Sequence, residues 1–304
     1  MKKVLVTGAN GFIGSHVVKE LLYHDLEVFA IVRNSNACNL PPHDKLRIVN
    51  CEMSKYGEID QVLKGYNDID TVYHFAWEGV SGKSQSDYSI QLDNIRNTLA
   101  LIDKFPILGV RRFIGAGSLH EKECLSVIES EQTLSNMGEM YKVSKLACHH
   151  MAKVKACNMG IDFLWPIVTN TYGAGEKSAR LINSTVRKML MGERPKFTKG
   201  DQLYDFVYIT DTARAFYLIG EYGKHCANYA IGTGNVKPLK EYLQQLCTYV
   251  NPNILPGFGE VDFKGTYLDK EIYDIENLMK DTGYKPRVSF LKGIELVLKG
   301  IKEE

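Results

Sequence analysis

Lys3-Val4-Leu5-Val6-Thr7-Gly8-Ala9-Asn10-Gly11-Phe12-Ile13-Gly14 begins as a β-branched apolar run and ends in three evenly spaced glycines. A short run of this kind, stopped by a glycine, predicts a buried strand. Beyond it, Ile13, Val17, Val18, Leu21 and Leu22 recur with a helical period from Phe12 to Leu22. A strand that turns through spaced glycines into a helix lets the backbone approach a ligand closely. The helix then offers free N–H groups and the positive end of its dipole, a combination that suits a pyrophosphate. The plain alternative is an ordinary glycine-rich turn. The position between a strand and a helix favours the phosphate cradle.

Working outward, Val28–Val32, Leu46–Val49, Thr71–Phe75, Val110–Ile114 and Ile161–Ile167 read as further strands. Helical periods cover 87–104 and Met140–Cys157. Strands alternating with helices imply right-handed crossovers and a parallel sheet. After residue 175 the pattern changes to helices near 178–191, 210–219, 238–249 and 289–301, separated by loops rich in Gly and Pro. The predicted fold class is α/β, a doubly wound parallel sheet over residues 1–175, to which some later segments return. A smaller mixed α/β lobe over 176–304 is expected to close the cleft at the carboxyl ends of the strands.

With 304 residues the chain can bury a large core without staples. Lys plus Arg total 37 against 36 for Asp plus Glu, a balance with no general drive toward nucleic acid or anionic lipid. Seven scattered cysteines, Cys38, Cys51, Cys124, Cys148, Cys157, Cys226 and Cys247, contain no C-x-x-C, which argues against a disulfide framework or a structural zinc. The first apolar run stops at Thr7-Gly8, too early for a signal peptide, and no stretch approaches a membrane span. A reduced, cytoplasmic compartment, no metal and no membrane partner are expected.

Tyr141-Lys142-Val143-Ser144-Lys145 places Tyr141 and Lys145 four apart, on one helical face. A phenol titrates near pH 10, so acid–base work near pH 7 asks for a shift of about 3 units. A neighbouring ammonium and a cationic nicotinamide both favour the phenolate. The alternative is a solvent-facing pair; the glycine motif upstream favours chemistry.

These two motifs together resemble the extended short-chain dehydrogenase/reductase family, the NAD(P)-dependent epimerases, dehydratases and reductases of nucleotide sugars. Further fragments match over nearly the whole chain: Asn94-Ile95-Arg96-Asn97-Thr98, Asn170-Thr171-Tyr172-Gly173, Asp205-Phe206-Val207-Tyr208-Ile209-Thr210-Asp211 and Gly283-Tyr284-Lys285-Pro286. The resemblance implies a Rossmann domain, a nucleotide-sugar substrate and a homodimer. It implies Ser118, Tyr141 and Lys145 as catalytic residues. It implies Gly8, Asn10, Gly11, Phe12, Ile13, Gly14, Glu52, Met53, Phe75, Ala76, Trp77 and Asn94 at the cofactor, together with Tyr141 and Lys145. Ser118, Asn170, Arg180 and Tyr204 are then expected at the substrate.

The departures narrow the reading. In the family's 4,6-dehydratases Asp-Glu follows the catalytic hydroxyl; here Leu119-His120 follows Ser118, which argues against dehydration. His120 and Glu121 are read as loop residues. Tyr204 stands where many relatives carry an Arg for the substrate phosphates; Arg180 or Lys177 is left to compensate. Val32 occupies the usual place of the acid that accepts from a ribose 2′-OH, and Arg33 follows it. A guanidinium there pairs with a 2′-phosphate, so NADP(H) is favoured and NAD(H) is the alternative. A surface Arg leaving a strand is the plain reading.

Gly79-Val80-Ser81-Gly82-Lys83-Ser84 mimics a P-loop, but Trp77 stands where that motif needs a glycine. His149 and His150, adjacent on a helix, are expected to point apart and to be poor joint metal ligands. The leading expectation is an NADPH-dependent 4-ketoreductase of a nucleotide-linked sugar. The alternatives are an NAD-dependent 4-epimerase and, in another class, a non-catalytic NADP(H)-binding regulator.

Overall fold

The computed structural model describes residues 1–128 and 139–303. Five strands, β1 (Lys3–Thr7), β2 (Glu27–Val32), β3 (Leu46–Asn50), β4 (Thr71–His74) and β5 (Arg112–Gly115), join the strand Asp162–Leu164 in one sheet. The spatial order is β3-β2-β1-β4-β5 and then Asp162–Leu164, with every pairing parallel. This is the doubly wound order of nucleotide-binding sheets. The direction in which successive strands are added reverses between β1 and β4, which opens a crevice at their carboxyl ends.

Both faces of the sheet are covered, which is why β1 and β2 read as unbroken apolar runs. Val4, Val6, Val28 and Ala30 pack on helix α1 (Phe12–Tyr23), through Val17, Val18 and Leu21, and on the helix Ile209–Tyr222, through Ala215, Phe216 and Ile219. On the other face Leu5, Phe29, Val72 and Phe113 meet Ile95 and Ile102 of the helix Tyr88–Asp103 and Cys148 and Ala152 of the helix Glu139–Asn158. A third core, with Ile182, Val186, Leu243 and Ile294, builds the C-terminal lobe. The helix Ile209–Tyr222 thus covers the main sheet although it follows the first lobe helix.

Two sequence readings need correction. The sixth strand splits in two, Asp162–Leu164 in the main sheet and Ile167–Val168 in a small parallel sheet with Gly117–Ser118 and Ala230–Ile231. Pro166 between them has no N–H to continue a ladder, and its carbonyl instead accepts from Gly117 N–H at 2.9 Å. His120 and Glu121 do not lie in a loop. They sit in the first turn of the helix Leu119–Ile128.

A polar chain crosses the core below the crevice. Thr7 Oγ1 lies 2.7 Å from His74 Nδ1, and His74 Nε2 lies 2.9 Å from Thr98 Oγ1, which donates to Asn94 O at 2.8 Å. Because the Thr98 proton is committed, His74 Nε2 carries the ring proton and Nδ1 accepts from Thr7. Burial, with the Lys145 charge nearby, pushes the His74 pKa down to about 3. The unfolded ring titrates near 6.5, so the unfolded chain takes the proton first. The contribution of neutral His74 is complete above about pH 6.5 and is lost as the pH falls toward 3, at roughly 1.4 kcal/mol per unit. Urea midpoints of the wild type should drop steeply between about pH 6 and 4. Those of His74→Gln should start lower and change less; equal slopes for the two proteins would remove His74 from the account.

Candidate active site

The crevice between sheet and lobe is a cleft of about 1260 Å³. That exceeds the ~300–1,000 Å³ of a single small-molecule pocket, which leaves room for a cofactor and a substrate together. Its floor is the glycine turn. Gly8 has φ +65°, and a Cβ on it would meet Ala76 N at 2.6 Å; a Cβ on Gly14 would meet Gly8 O at 2.2 Å. Helix α1 starts behind this turn with Gly11 as its N-cap and no acidic residue in its first turn, so its N–H groups face the cleft without a competing anion. These features fit the pyrophosphate of a dinucleotide.

Gly8, Gly11, Phe12, Ile13, Gly14, Phe75 and Trp77 line this cleft, and so do Ser118, Tyr141, Lys145, Asn170, Arg180 and Tyr204. Ser118 ends the strand Gly117–Ser118, and its side chain hydrogen-bonds to the Tyr141 hydroxyl. Burial raises the phenol to about 12, against the opposing effects of the Ser118 bond and the Arg180 charge. Lys145 Nζ donates to Ala116 O at 3.1 Å and sits 3.9 Å from the centre of the Trp77 ring. Burial lowers its own pKa. The i,i+4 spacing puts both side chains on one helix face, and the Trp77 ring and the Ala116 carbonyl fix where the ammonium lies.

The remaining expected cofactor residues stand back from the cleft. Asn10 spans to the loop after β2, donating to Ala37 O and accepting from Asn39 N, both at 2.9 Å. Asn94 is buried and its amide accepts from Glu78 N and donates to Glu78 O, both at 2.9 Å, and also donates to Gln91 Oε1 at 3.5 Å. Ala76 sits against the Gly8 backbone, Met53 packs in the core and Glu52 is exposed. Arg33 is exposed and pairs with Glu78 at 3.3 Å. Asn170 and Asn183, both in the cleft wall, each keep a buried side-chain oxygen with no hydrogen-bond partner among the described residues.

The roles of four supporting residues, Gln91, Glu121, Asp205 and Asp211, escape a sequence reading. Gln91 accepts from Trp77 Nε1 and from Ser144 Oγ at 3.0 Å each and donates to Gly79 O at 3.0 Å, which ties the loop after β4 to the helix that carries Tyr141. The available signal is the polar set Gln91, Asn94 and Thr98, which shares the buried face of the helix Tyr88–Asp103 with Ile95, Leu101 and Ile102. Glu121 is fully buried and accepts from Ser118 N at 2.9 Å, Trp165 Nε1 at 3.0 Å and His149 Nδ1 at 2.8 Å. The rings of His149 and His150 do not point apart but stack at 5.1 Å, because His149 also stacks on Trp165. Asp205 and Asp211 pin loops rather than ligands: Asp205 accepts from Thr233 N and Gly234 N, Asp211 from Arg287 N and Val288 N.

All seven cysteines are free, yet Cys157 and Cys226 come within 3.8 Å of each other with His225 Nε2 3.2 Å from Cys226 Sγ. Phe163 N donates to His225 Nδ1, so neutral His225 carries its proton on Nε2 and faces the sulfurs as a donor. A metal ligand through Nε2 needs the opposite tautomer. No helix among the described residues is long and apolar enough to cross a membrane.

A doubly wound sheet with a glycine cradle at its reversal point, facing a paired serine and tyrosine above a buried lysine, defines an NAD(P)-binding α/β enzyme of the extended short-chain dehydrogenase/reductase class. The chain belongs to the NAD dependent epimerase/dehydratase family, whose sequence profile matches residues 4–232. It is 26% identical to CDP-abequose synthase of Salmonella typhimurium, over 97% of each chain. Its fold matches that of UDP-glucose 4-epimerase from Thermotoga maritima, solved with UDP-glucose, at a TM-score of 0.82 and 21% identity over 99% of both chains. It also matches UDP-glucuronic acid 4-epimerase from Bacillus cereus, solved with UDP-glucuronic acid and NAD, at a TM-score of 0.77 and 23% identity over 99% of both.

Proposed function

We propose that this enzyme reduces the C4 ketone of a nucleotide-linked sugar with NADPH. The observation that carries the reading is the end of β2, where Val32 stands in the place of a ribose-binding acid and Arg33 follows it. Its support from the site is the Tyr141 phenol, held protonated by burial, as a proton donor must be. Bound in the cleft, the dinucleotide supplies the hydride. Tyr141 gives its proton to the oxygen that becomes the C4 hydroxyl, and Ser118 hydrogen-bonds that oxygen. Lys145 holds the nicotinamide ribose, and Trp77 and Ala116 fix its ammonium in place. Asn170 and Arg180 hold the substrate; Tyr204 adds a ring and no charge. A homodimer fits the exposed apolar stripe of Leu92, Met140, Val143, Met151 and Val154 on two neighbouring helices.

A second reading, an NAD-dependent 4-epimerase using the same residues, is favoured by the Arg33–Glu78 ion pair, which engages the guanidinium and brings a carboxylate to that edge. Cofactor titration separates the two. An exposed charge-assisted contact to a 2′-phosphate contributes about 1.5–3 kcal/mol, so NADPH should bind roughly 10–100-fold more tightly than NADH. Arg33→Ala should erase most of that preference and leave NADH affinity similar. Wild-type protein that binds NADH equally well, or emerges from purification with stoichiometric NAD, would move the assignment to the epimerase.

A further inference from the structure

Beside Tyr141 the cleft holds a second acid–base group that the reduction does not use. His120 lies edge-on to the Tyr141 ring with centroids 5.7 Å apart, and its backbone N–H donates to Ser118 Oγ at 3.3 Å. Its Nδ1 is 2.9 Å from Glu123 Oε2, and the buried Lys142 Nζ reaches the same oxygen at 2.9 Å. Burial works against the Glu123 charge, yet His120 and Lys142 together hold its carboxyl below the usual range. An ionised Glu123 accepts only, so Nδ1 carries the His120 proton and Nε2 keeps a basic lone pair. That nitrogen has no hydrogen-bond partner among the described residues, and the side chain opens on the cleft that Tyr141 and Ser118 line. A base oriented by a carboxylate, which is locked in turn by a third group, is the arrangement that acid–base and nucleophilic sites share.

We propose that His120 is a second general base, and that the enzyme enolises the keto-sugar at a carbon next to C4. The inference rests on the keto-sugar reading above. His120 Nε2 takes the proton from the carbon α to the ketone. The C–H electron pair forms the C=C bond, and the carbonyl π pair moves onto oxygen, where the Ser118 and Tyr141 hydroxyls stabilise it. Return of a proton from His120 restores the ketone, so no oxidant or reductant is consumed. Glu123 is a positioning residue that fixes the tautomer and the ring plane.

The test is solvent exchange. A 4-keto-6-deoxyhexose linked to dTDP or CDP is held with the enzyme in D₂O without reduced cofactor, and proton NMR follows loss of the signals next to the ketone. NADPH oxidation is measured in parallel. Wild-type enzyme should accelerate exchange at least ~10²-fold over buffer, and His120→Gln should return it to the buffer rate. Glu123→Gln should lower the exchange kcat about tenfold at unchanged KM, a split that a loss of fold would not give. Hydride transfer without enzyme-dependent exchange overturns the inference and leaves the reductase reading standing. Exchange that survives in His120→Gln also overturns it. His120-dependent exchange without hydride transfer would support the inference and remove the reductase. Neither activity on either probe overturns both.

Discussion

Tyr141→Phe should lower turnover by about 10²–10⁴-fold while leaving fold and cofactor affinity intact, the usual weight of a general acid. The substitution removes one hydroxyl and its bond to Ser118, which contributes only about 0.5–1.5 kcal/mol to stability. The ring keeps its edge contacts with Trp77 and His120. The phenol, raised to about 12, also fixes a pH dependence. Its acid form is the reactive one in ketone reduction, so wild-type reduction should stay nearly flat from about pH 6 to 9, as far as Tyr141 controls it. Oxidation of the alcohol needs the phenolate and should climb with pH across the same range. Initial rates in both directions, for both proteins, decide the matter. Near-normal turnover of the variant would remove Tyr141 from the chemistry.

Glu121→Ala should be the most destabilising single change near the site, by about 3–5 kcal/mol, since it strips a buried carboxylate from three donors at once. Those donors come from three elements: Ser118 N, Trp165 Nε1 and His149 Nδ1. Glu121→Gln should be far milder. One oxygen of the carboxylate serves both Ser118 and Trp165, and a glutamine keeps it; the new amide then donates to His149, whose ring can carry its proton on Nε2 instead. Urea unfolding of the two variants measures the contrast. Equal losses would show that the carboxylate charge, rather than the hydrogen-bond count, holds Ser118 in place.

Glu121 also illustrates where a sequence reading stops. Nothing in Leu119-His120-Glu121 marks a buried acid, and its partner His149 is 28 positions away. The His120–Glu123 pair is similarly mute: its spacing fits one helical turn, but no apolar period announces the helix Leu119–Ile128. The spacing to Tyr141 marks Lys145 as a candidate in the sequence, whereas the direction of its ammonium depends on Trp77 and Ala116, both distant in the chain. Asn94 shows the same limit. Its position was readable, but its amide turns out to hold Glu78 and the loop after β4.

By itself the sequence determined the parallel α/β sheet, the glycine turn and the register that puts Tyr141 and Lys145 on one helix face. Each of these follows from periodicity, β-branching and backbone freedom, which act over a few neighbouring residues. Only the tertiary structure decided which polar side chains meet: Glu121 beneath Ser118, Gln91 between Trp77 and Ser144, Glu123 between His120 and Lys142. Most of those partners lie on different elements, and burial sets the strength of such contacts. A buried donor or acceptor must find a partner or cost about 1–3 kcal/mol, so packing of the whole core, rather than any local pattern, selects the pairs.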